Sequence, residues 1–212
     1  MNHRLARLLS AAFLLLLLLS VSECLSIRPK EPTIIRKDWN SYFFSDLLPA
    51  LPIVDGFDFP LRPPDGEGAK MEQTFLQNQS LGEIWTVPNA SGEESVHASA
   101  DGLVTFAVNL EGELGCVVII THRMPANSEF PAVESLYSGM QGMCVEKGAF
   151  VHRGDKIGFL KTSGEDIPPR LRWEMRSRIG LLLGPQTWDG KMEGWIGPSD
   201  FVREHRAKST SG

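Results

Sequence analysis

The chain has 212 residues, with 26 acidic and 21 basic side chains and a formal net charge of −5 at pH 7. A negative chain without a basic block lacks the electrostatic footprint of a nucleic-acid-binding protein, so we expect no nucleic-acid partner. The 20 glycines and 14 prolines, with few helix-period apolar patterns, favour a single mostly β domain.

The first 26 residues have the pattern of a secretory signal peptide. Arg4 and Arg7 precede an apolar run over residues 8–19, and small polar residues follow. The run is shorter than the roughly 20 apolar residues that a transmembrane helix needs. The sequence therefore predicts an exported protein, in the periplasm or at the cell surface.

Cys24 adds an alternative to simple export. It lies just after the apolar run, where the acylated cysteine of a lipoprotein would lie. Glu23 precedes it, however, where a lipobox usually has Gly, Ala or Ser. Membrane anchoring through an acylated Cys24 therefore stays open beside cleavage and release.

Residues 27–54 are predicted to form an extended arm, because four prolines in this stretch argue against a long helix. We expect the main domain to cover residues 55–205 and a disordered tail to cover residues 206–212. Within the domain, short β-rich runs alternate with turns that contain Gly and Pro. The predicted strands are residues 57–60, 96–99, 103–109, 116–122, 133–143 and 168–176, and a short helix is predicted near the end of the chain.

The strands 116–122 and 133–143 are predicted to pair as a hairpin. If His122 lies opposite Tyr137, Cys116 faces residue 143, next to Cys144. This register predicts a disulfide between Cys116 and Cys144, which an exported protein can keep. The alternative is two thiols that serve as small hydrophobic side chains.

The order of the motifs resembles that of the lysostaphin/LytM-type zinc endopeptidases, which cut peptidoglycan peptides. The similar segments are residues 55–68, 96–104, 116–123, 145–158 and 195–201. The resemblance implies a small antiparallel β-sandwich or barrel-sandwich hybrid with long loops.

The residues that carry the family's chemistry are replaced. The family binds zinc through an H-x-G-x-D segment and the last His of H-x-H, and the aligned positions here are Ser80, Ile84 and Arg172. Two further histidines assist the reaction in the family, and the aligned positions are Gly139 and Arg170. The resemblance thus implies a degenerate member without catalytic residues.

Zinc is predicted to be absent. A catalytic zinc needs about three imidazole, thiolate or carboxylate ligands, whereas isoleucine has no lone pair and a guanidinium is permanently cationic. Without the ion there is no activated water and no polarised carbonyl. The other histidines of the mature chain are His97, His122, His152 and His205, and none lies two to four residues from another.

We expect the former site to be a binding groove formed by Arg170, Arg172, Glu83, Glu174 and Tyr137. Two arginines on the same face of one strand suit the recognition of carboxylates, as on acidic stem peptides. The alternative is that they only pair with Glu83 and Glu174. The leading hypothesis is a non-catalytic envelope protein that binds peptidoglycan or regulates a cell-wall amidase or hydrolase. An active peptidoglycan metallo-endopeptidase or hydrolase with a non-standard site is the alternative. A lipoyl- or biotinyl-like carrier is a third hypothesis, but the chain lacks the expected lysine tripeptide.

Overall fold

The computed structural model describes residues 46–88, 90, 92–161, 168–180 and 193–207. The predicted signal peptide, Cys24 and residues 27–45 of the predicted arm lie outside the described residues, as do residues 208–212. No helix in the described ranges is long and apolar enough to cross a membrane.

Eleven strands and one short α-helix lie in the described residues. The strands are β1 (Lys70–Gln73), β2 (Glu83–Thr86), β3 (Glu93–His97), β4 (Gly102–Asn109), β5 (Cys116–Arg123), β6 (Ala132–Met140), β7 (Gly142–Met143), β8 (Phe150–Val151), β9 (Lys156–Lys161), β10 (Arg170–Arg176) and β11 (Trp195–Ile196). The helix α1 is Pro198–Glu204, and short 3-10 turns cover Leu48–Ala50 and Gln77–Gln79. Proline at the start of α1 fits the first helical position, where its missing N–H costs nothing.

The strands form two antiparallel sheets. The large sheet has the order β1-β2-β10-β6-β5-β4-β8, with β11 beside β10. The small sheet has the order β3-β9-β7. The mostly β, antiparallel fold predicted from the sequence is therefore confirmed.

The large sheet has two different faces, and β10 shows the difference directly. Leu171, Trp173 and Met175 lie in the main hydrophobic core. Because side chains alternate along a strand, the four charged residues of β10 lie on the opposite face, which we call the site face. These residues are Arg170, Arg172, Glu174 and Arg176.

The predicted hairpin of β5 and β6 exists, but its predicted register is wrong. His122 pairs with Val133, and Tyr137 pairs with Val118, a shift of four residues. β5 is a run of apolar residues that is buried on both faces, so its sequence contains no alternation that would fix the register.

The predicted disulfide is absent for the same reason. The cross-strand partner of Cys116 is Met140, and Cys144 comes four residues after Met140 in the chain. The chain has by then entered the small sheet, where the N–H of Cys144 donates to the carbonyl of Ile157. Both cysteines are free, with Cys116 buried and Cys144 exposed.

The segment 133–143 was expected to be one strand, but it divides between the two sheets. β6 ends at Met140, and β7 pairs with β9. Between them, the N–H of Gln141 already donates to the carbonyl of Phe159, a residue of β9. The chain therefore crosses from the large sheet to the small one at Gln141.

The predicted strand 57–60 is an irregular buried segment. The N–H groups of Phe57, Asp58 and Phe59 donate to the carbonyls of His205, Ser99 and Pro64, three separate partners. Because no single neighbouring strand accepts them, no ladder forms.

The predicted disordered tail begins too early. Its first residue, Arg206, forms a bridge with Phe57, and its guanidinium contacts the carboxylate of Asp65. At the other end, Leu48 and Leu51 of the predicted arm are buried together with Leu103 and Ala132. The packed part of the chain therefore extends beyond the predicted limits of 55 and 205.

Candidate functional site

The structure brings the three aligned ligand positions together on the site face. Arg172 of β10 is the direct cross-strand partner of Ile84 in β2. Ser80 lies in the loop that leads into β2, and its hydroxyl accepts a hydrogen bond of 3.1 Å from Nη1 of Arg172. Ser80 is buried, and Ile84 is half-buried.

The two aligned assisting positions lie next to this cluster. Arg170 is two residues before Arg172 on the same face of β10. Gly139 has a φ of +85°, and a Cβ added to it would lie 2.7 Å from the carbonyl oxygen of Arg170. No side chain fits at Gly139 unless the backbone moves.

Arg172 forms the centre of the cluster. Its Nε donates to Oε1 of Glu174 at 2.9 Å, and its side chain is only 16% exposed. The preceding loop packs closely on this pair, since a Cβ at Gly82 would lie 2.7 Å from Cγ of Glu174 and 3.5 Å from Cζ of Arg172. The predicted ion pair between Glu174 and Arg172 is therefore present.

Glu174 also receives a second arginine. Nε and Nη2 of Arg176 donate to its Oε2 at 3.0 and 2.6 Å, and Nε1 of Trp195 donates to the same oxygen at 3.2 Å. The side chains of Glu174 and Arg176 are both fully buried. A buried carboxylate flanked by two cations is fully ion-paired, which is the condition under which a buried charge is tolerated.

Glu83 and Tyr137 do not line the groove, contrary to the sequence-based expectation. Both are cross-strand partners of Trp173, so they lie on the core face. Glu83 accepts hydrogen bonds from Nε1 of Trp85 and from the N–H and hydroxyl of Ser199. It therefore ties α1 to β2 and forms none of the predicted arginine pairs.

Tyr137 belongs to a buried polar network. Its hydroxyl donates to Oγ of Ser99 at 3.0 Å and accepts from the N–H of Ser99 at 2.9 Å. Burial raises the pKa of Tyr137. The hydroxyl is therefore a structural hydrogen-bonding group in the core.

Arg170 behaves differently from Arg172. Its Nε lies 2.6 Å from Oε2 of Glu72 in β1, and its side chain is 59% exposed. Beside this pair is a cleft of about 450 Å³, which we call the edge cleft. Its lining residues are Lys70, Met71, Glu72, Gln73, Ile84 and Arg170.

Residues 86–182 match the sequence model of peptidase family M23. The chain carries an M23 domain. The resemblance to lysostaphin/LytM-type endopeptidases is thereby confirmed at the level of the family. The match begins two residues after Ile84, so the assignment of Ser80 and Ile84 to the first ligand segment stays a prediction.

Two curated proteins are similar to the M23 domain and its surroundings. An uncharacterized protein of Neisseria meningitidis is 31% identical over 118 residues, which covers 54% of this chain and 18% of that protein. The murein hydrolase activator EnvC of Escherichia coli is 35% identical over 105 residues, covering 50% of this chain and 23% of EnvC. The chain thus spans about a fifth of the length of the curated relatives it matches.

Among solved structures, Csd3 of Helicobacter pylori is similar with a TM-score of 0.46 and 18% sequence identity. The similarity covers 70% of this chain and 35% of Csd3.

The residues of this M23 domain do not fit the zinc ion that the family binds. The described residues contain no group of three or more His, Cys, Asp or Glu side chains that could hold a metal. The cluster at the aligned positions offers one hydroxyl, one aliphatic side chain and the guanidinium of Arg172, which already donates to Ser80 and Glu174. A fixed cation at this place also repels a divalent ion.

Sequence reasoning missed a buried acid on the site face. Glu134 of β6 is the cross-strand partner of Arg176, and its Oε1 accepts from Oγ1 of Thr121 and the N–H of Gly180. Its Oε2 has no hydrogen-bond partner in the part of the chain that the structure describes. Burial raises the pKa of Glu134. The alternating charges of β10 indicated a polar face, but only the register shows that Glu134 lies on it.

His122 is the buried histidine of the domain. Its Nδ1 lies 2.9 Å from the carbonyl oxygen of Asp101, so it carries the proton, and its Nε2 accepts from Oγ of Ser135 at 2.7 Å. Burial lowers its pKa to about 4. Both ring nitrogens are used within the core, which makes His122 a structural residue.

Proposed function

We propose that this chain is a non-catalytic M23 protein of the cell envelope that binds peptidoglycan. The observation that carries the proposal is the position of Arg172, whose guanidinium bonds to Ser80 and Glu174 at the aligned ligand cluster. Catalysis in the family requires an ion that activates water and polarises the scissile carbonyl. The guanidinium of Arg172 only donates hydrogen bonds and has no lone pair for an ion or a water proton, so it cannot replace either role.

The surface around the cluster supports binding. The edge cleft has a volume of about 450 Å³, within the roughly 300–1,000 Å³ of small-ligand pockets. Its lining combines two cations, Lys70 and Arg170, with the apolar side chain of Ile84. Charged and apolar groups of this kind suit a short peptide, which is the part of peptidoglycan that the family recognises.

Export to the envelope is part of the same proposal. The amino-terminal segment has the pattern of a secretory signal, and the similar protein EnvC is by its name an activator of murein hydrolases. An exported protein meets peptidoglycan directly, whether it is released or held by an acylated Cys24.

Co-sedimentation with purified sacculi tests the proposal. The full chain is expected to sediment with sacculi at low salt, and retention should fall as salt rises because exposed charges are screened. Loss of all retention at low salt would contradict binding. Elemental analysis of the same preparation, after zinc addition and dialysis, is expected to find no stoichiometric zinc, and one zinc per chain would contradict the non-catalytic assignment.

Regulation of a cell-wall hydrolase is a second candidate, favoured by the match to EnvC over half of this chain. A regulator would change the rate at which a purified cell-wall amidase releases fragments from sacculi. A rate that is unchanged at saturating concentrations of this chain would exclude regulation of that amidase and leave peptidoglycan binding as the function.

A further inference from the structure

The edge cleft contains an exposed ion pair whose acidic partner has the chemistry of a ligand. The carboxylate of Glu72 lies 2.6 Å from Nε of Arg170, and the two side chains are 27% and 59% exposed. Both residues line the cleft. The pair therefore lies at the surface that a ligand would contact.

We propose that Arg170 is the carboxylate-binding residue of the edge cleft and that Glu72 is its built-in competitor. A short acidic peptide binds by placing its carboxylate against Arg170 in exchange for that of Glu72. This inference rests on the proposed function and specifies the residue and the ligand group that determine binding.

The three arginines of β10 differ in how available they are to a ligand. Arg172 already donates to Ser80 and Glu174 and is mostly buried, whereas Arg176 is completely buried. Arg170 alone of the three arginines of β10 has a largely exposed side chain. A guanidinium binds a carboxylate through two parallel N–H groups, which makes it selective for that group.

The lining indicates a peptide and not a sugar. Sugar rings usually bind by stacking on aromatic side chains, and the lining residues of the edge cleft include no aromatic residue. Ile84 supplies an apolar contact, and Lys70 supplies a second positive charge. An acidic peptide with small apolar side chains fits this combination.

A ligand can displace Glu72 because the ion pair between Glu72 and Arg170 contributes little to stability. Exposed ion pairs contribute little to stability, since water solvates both charges well. The same carboxylate keeps Arg170 neutralised and oriented when no ligand is bound. Its removal therefore leaves the fold intact and the binding residue unoccupied.

Soluble disaccharide-peptides, released from sacculi by a muramidase, serve as the probe for isothermal titration with the full chain. Arg170→Gln is expected to weaken binding about tenfold, the loss of a charge-assisted contact. Glu72→Gln is expected to tighten binding about threefold, since the competing charge is gone. The same fragments with their carboxyl groups converted to amides should bind the wild-type chain and Arg170→Gln equally weakly.

Arg203→Gln is the matched control. Arg203 also forms an ion pair, with Asp200 at 2.9 Å, and its side chain is 58% exposed. This variant removes the same charge outside the cleft and is expected to change affinity by less than about twofold. Thermal melting of each variant verifies that it is folded.

Three results would overturn the inference. The first is an unchanged affinity of Arg170→Gln for the fragments, and the second is a weaker affinity of Glu72→Gln. The third is that the wild-type chain binds the amidated fragments as tightly as the unmodified ones. Retention on whole sacculi with no binding of the soluble fragments would also overturn it while leaving the proposed function standing. Loss of retention on sacculi together with no binding of the fragments would contradict the proposed function and, with it, the inference.

Discussion

Glu174 and its two arginine partners determine what the site face can bind. The carboxylate accepts hydrogen bonds from Arg172, Arg176 and Trp195. A metal site needs uncommitted lone pairs, whereas both carboxylate oxygens of Glu174 and the hydroxyl of Ser80 already accept hydrogen bonds. The pair of Arg172 and Glu174 thus explains at the level of single atoms why the residues present do not suit zinc.

Glu174→Gln is expected to lower the free energy of unfolding by about 3 kcal/mol, because it removes the charge that balances two inward-facing guanidinium groups. Urea denaturation measures the change. Glu72→Gln, at the exposed pair with Arg170, should cost less than about 1 kcal/mol. Similar costs for the two variants would contradict the difference in burial that the structure gives these two pairs.

His122 predicts a dependence of stability on pH. Its ordinary pKa is 6.5, and burial lowers it to about 4. Between these values the unfolded chain binds a proton that the folded protein does not, so stability falls as the pH falls through this window. The full effect is about 3 kcal/mol, and stability is complete above pH 6.5.

Urea titrations at pH 7.5 and pH 4 check this prediction. The loss of stability between the two pH values should be smaller by about 3 kcal/mol in His122→Gln than in the wild-type chain. His152→Gln is the control, since the side chain of His152 is 82% exposed. An equal pH dependence in the wild-type chain and His122→Gln would contradict the prediction.

The strands β6 and β10 approach each other closely at Gly139. A Cβ there would meet the carbonyl of Arg170 at 2.7 Å, whereas a Cβ at Gly148 has no atom within 4 Å. Both glycines have positive φ, at +85° and +93°. Both positions therefore favour glycine because of the same backbone conformation, and they differ only in the room available for a side chain.

Gly139→Ala is expected to cost about 2 kcal/mol more than Gly148→Ala, because only the first adds a steric clash to the strain of positive φ. Chemical denaturation of the two variants gives the difference directly. Equal costs would mean that the backbone at Gly139 moves freely, and a side chain at this assisting position would then be tolerated.

The register of β5 and β6 predicts which cysteine is reactive. Cys116 is 5% exposed, and burial raises its pKa, so its thiolate is both rare and shielded. Brief treatment of the native protein with iodoacetamide should alkylate Cys144 and spare Cys116 until the chain is unfolded. Peptide mass spectrometry locates the label, and protection of both cysteines until a reductant is added would indicate the disulfide that the structure lacks.

Single strands of this fold could be predicted from the sequence because the residue pattern that indicates each one lies within the strand itself. The alternation of apolar and charged residues from Arg170 to Arg176 predicts a strand with one core face and one polar face. The register of β5 could not be predicted, since Val117, Val118, Ile119 and Ile120 are all buried and a shift changes little in their pattern.

The candidate site was predictable in outline for the same reason. Ser80, Ile84 and Arg172 could be placed together from the motif order, because each lies in or beside a strand with a clear pattern. Glu83 and Tyr137 could not be assigned to a face, since this depends on pairing with Trp173 across two strands.

For the whole molecule, the separation of the two faces of the large sheet connects fold with function. The core face packs Leu171, Trp173 and Met175 with the rest of the interior. The site face carries the charged cluster and, at its edge, the cleft beside Arg170. The proposed change from metal binding to ligand binding therefore concerns the site face alone and does not involve the residues of the core face.

Release of soluble peptides from purified sacculi tests most directly the claim that this domain binds without cleaving. The full chain is incubated with sacculi and added zinc for many turnovers of an active M23 endopeptidase, and the supernatant is separated by chromatography. The account predicts no peptide release above that of buffer alone, because no residue at the cluster of Ser80, Ile84 and Arg172 can hold the ion. Time-dependent release that scales with the concentration of this chain would contradict it.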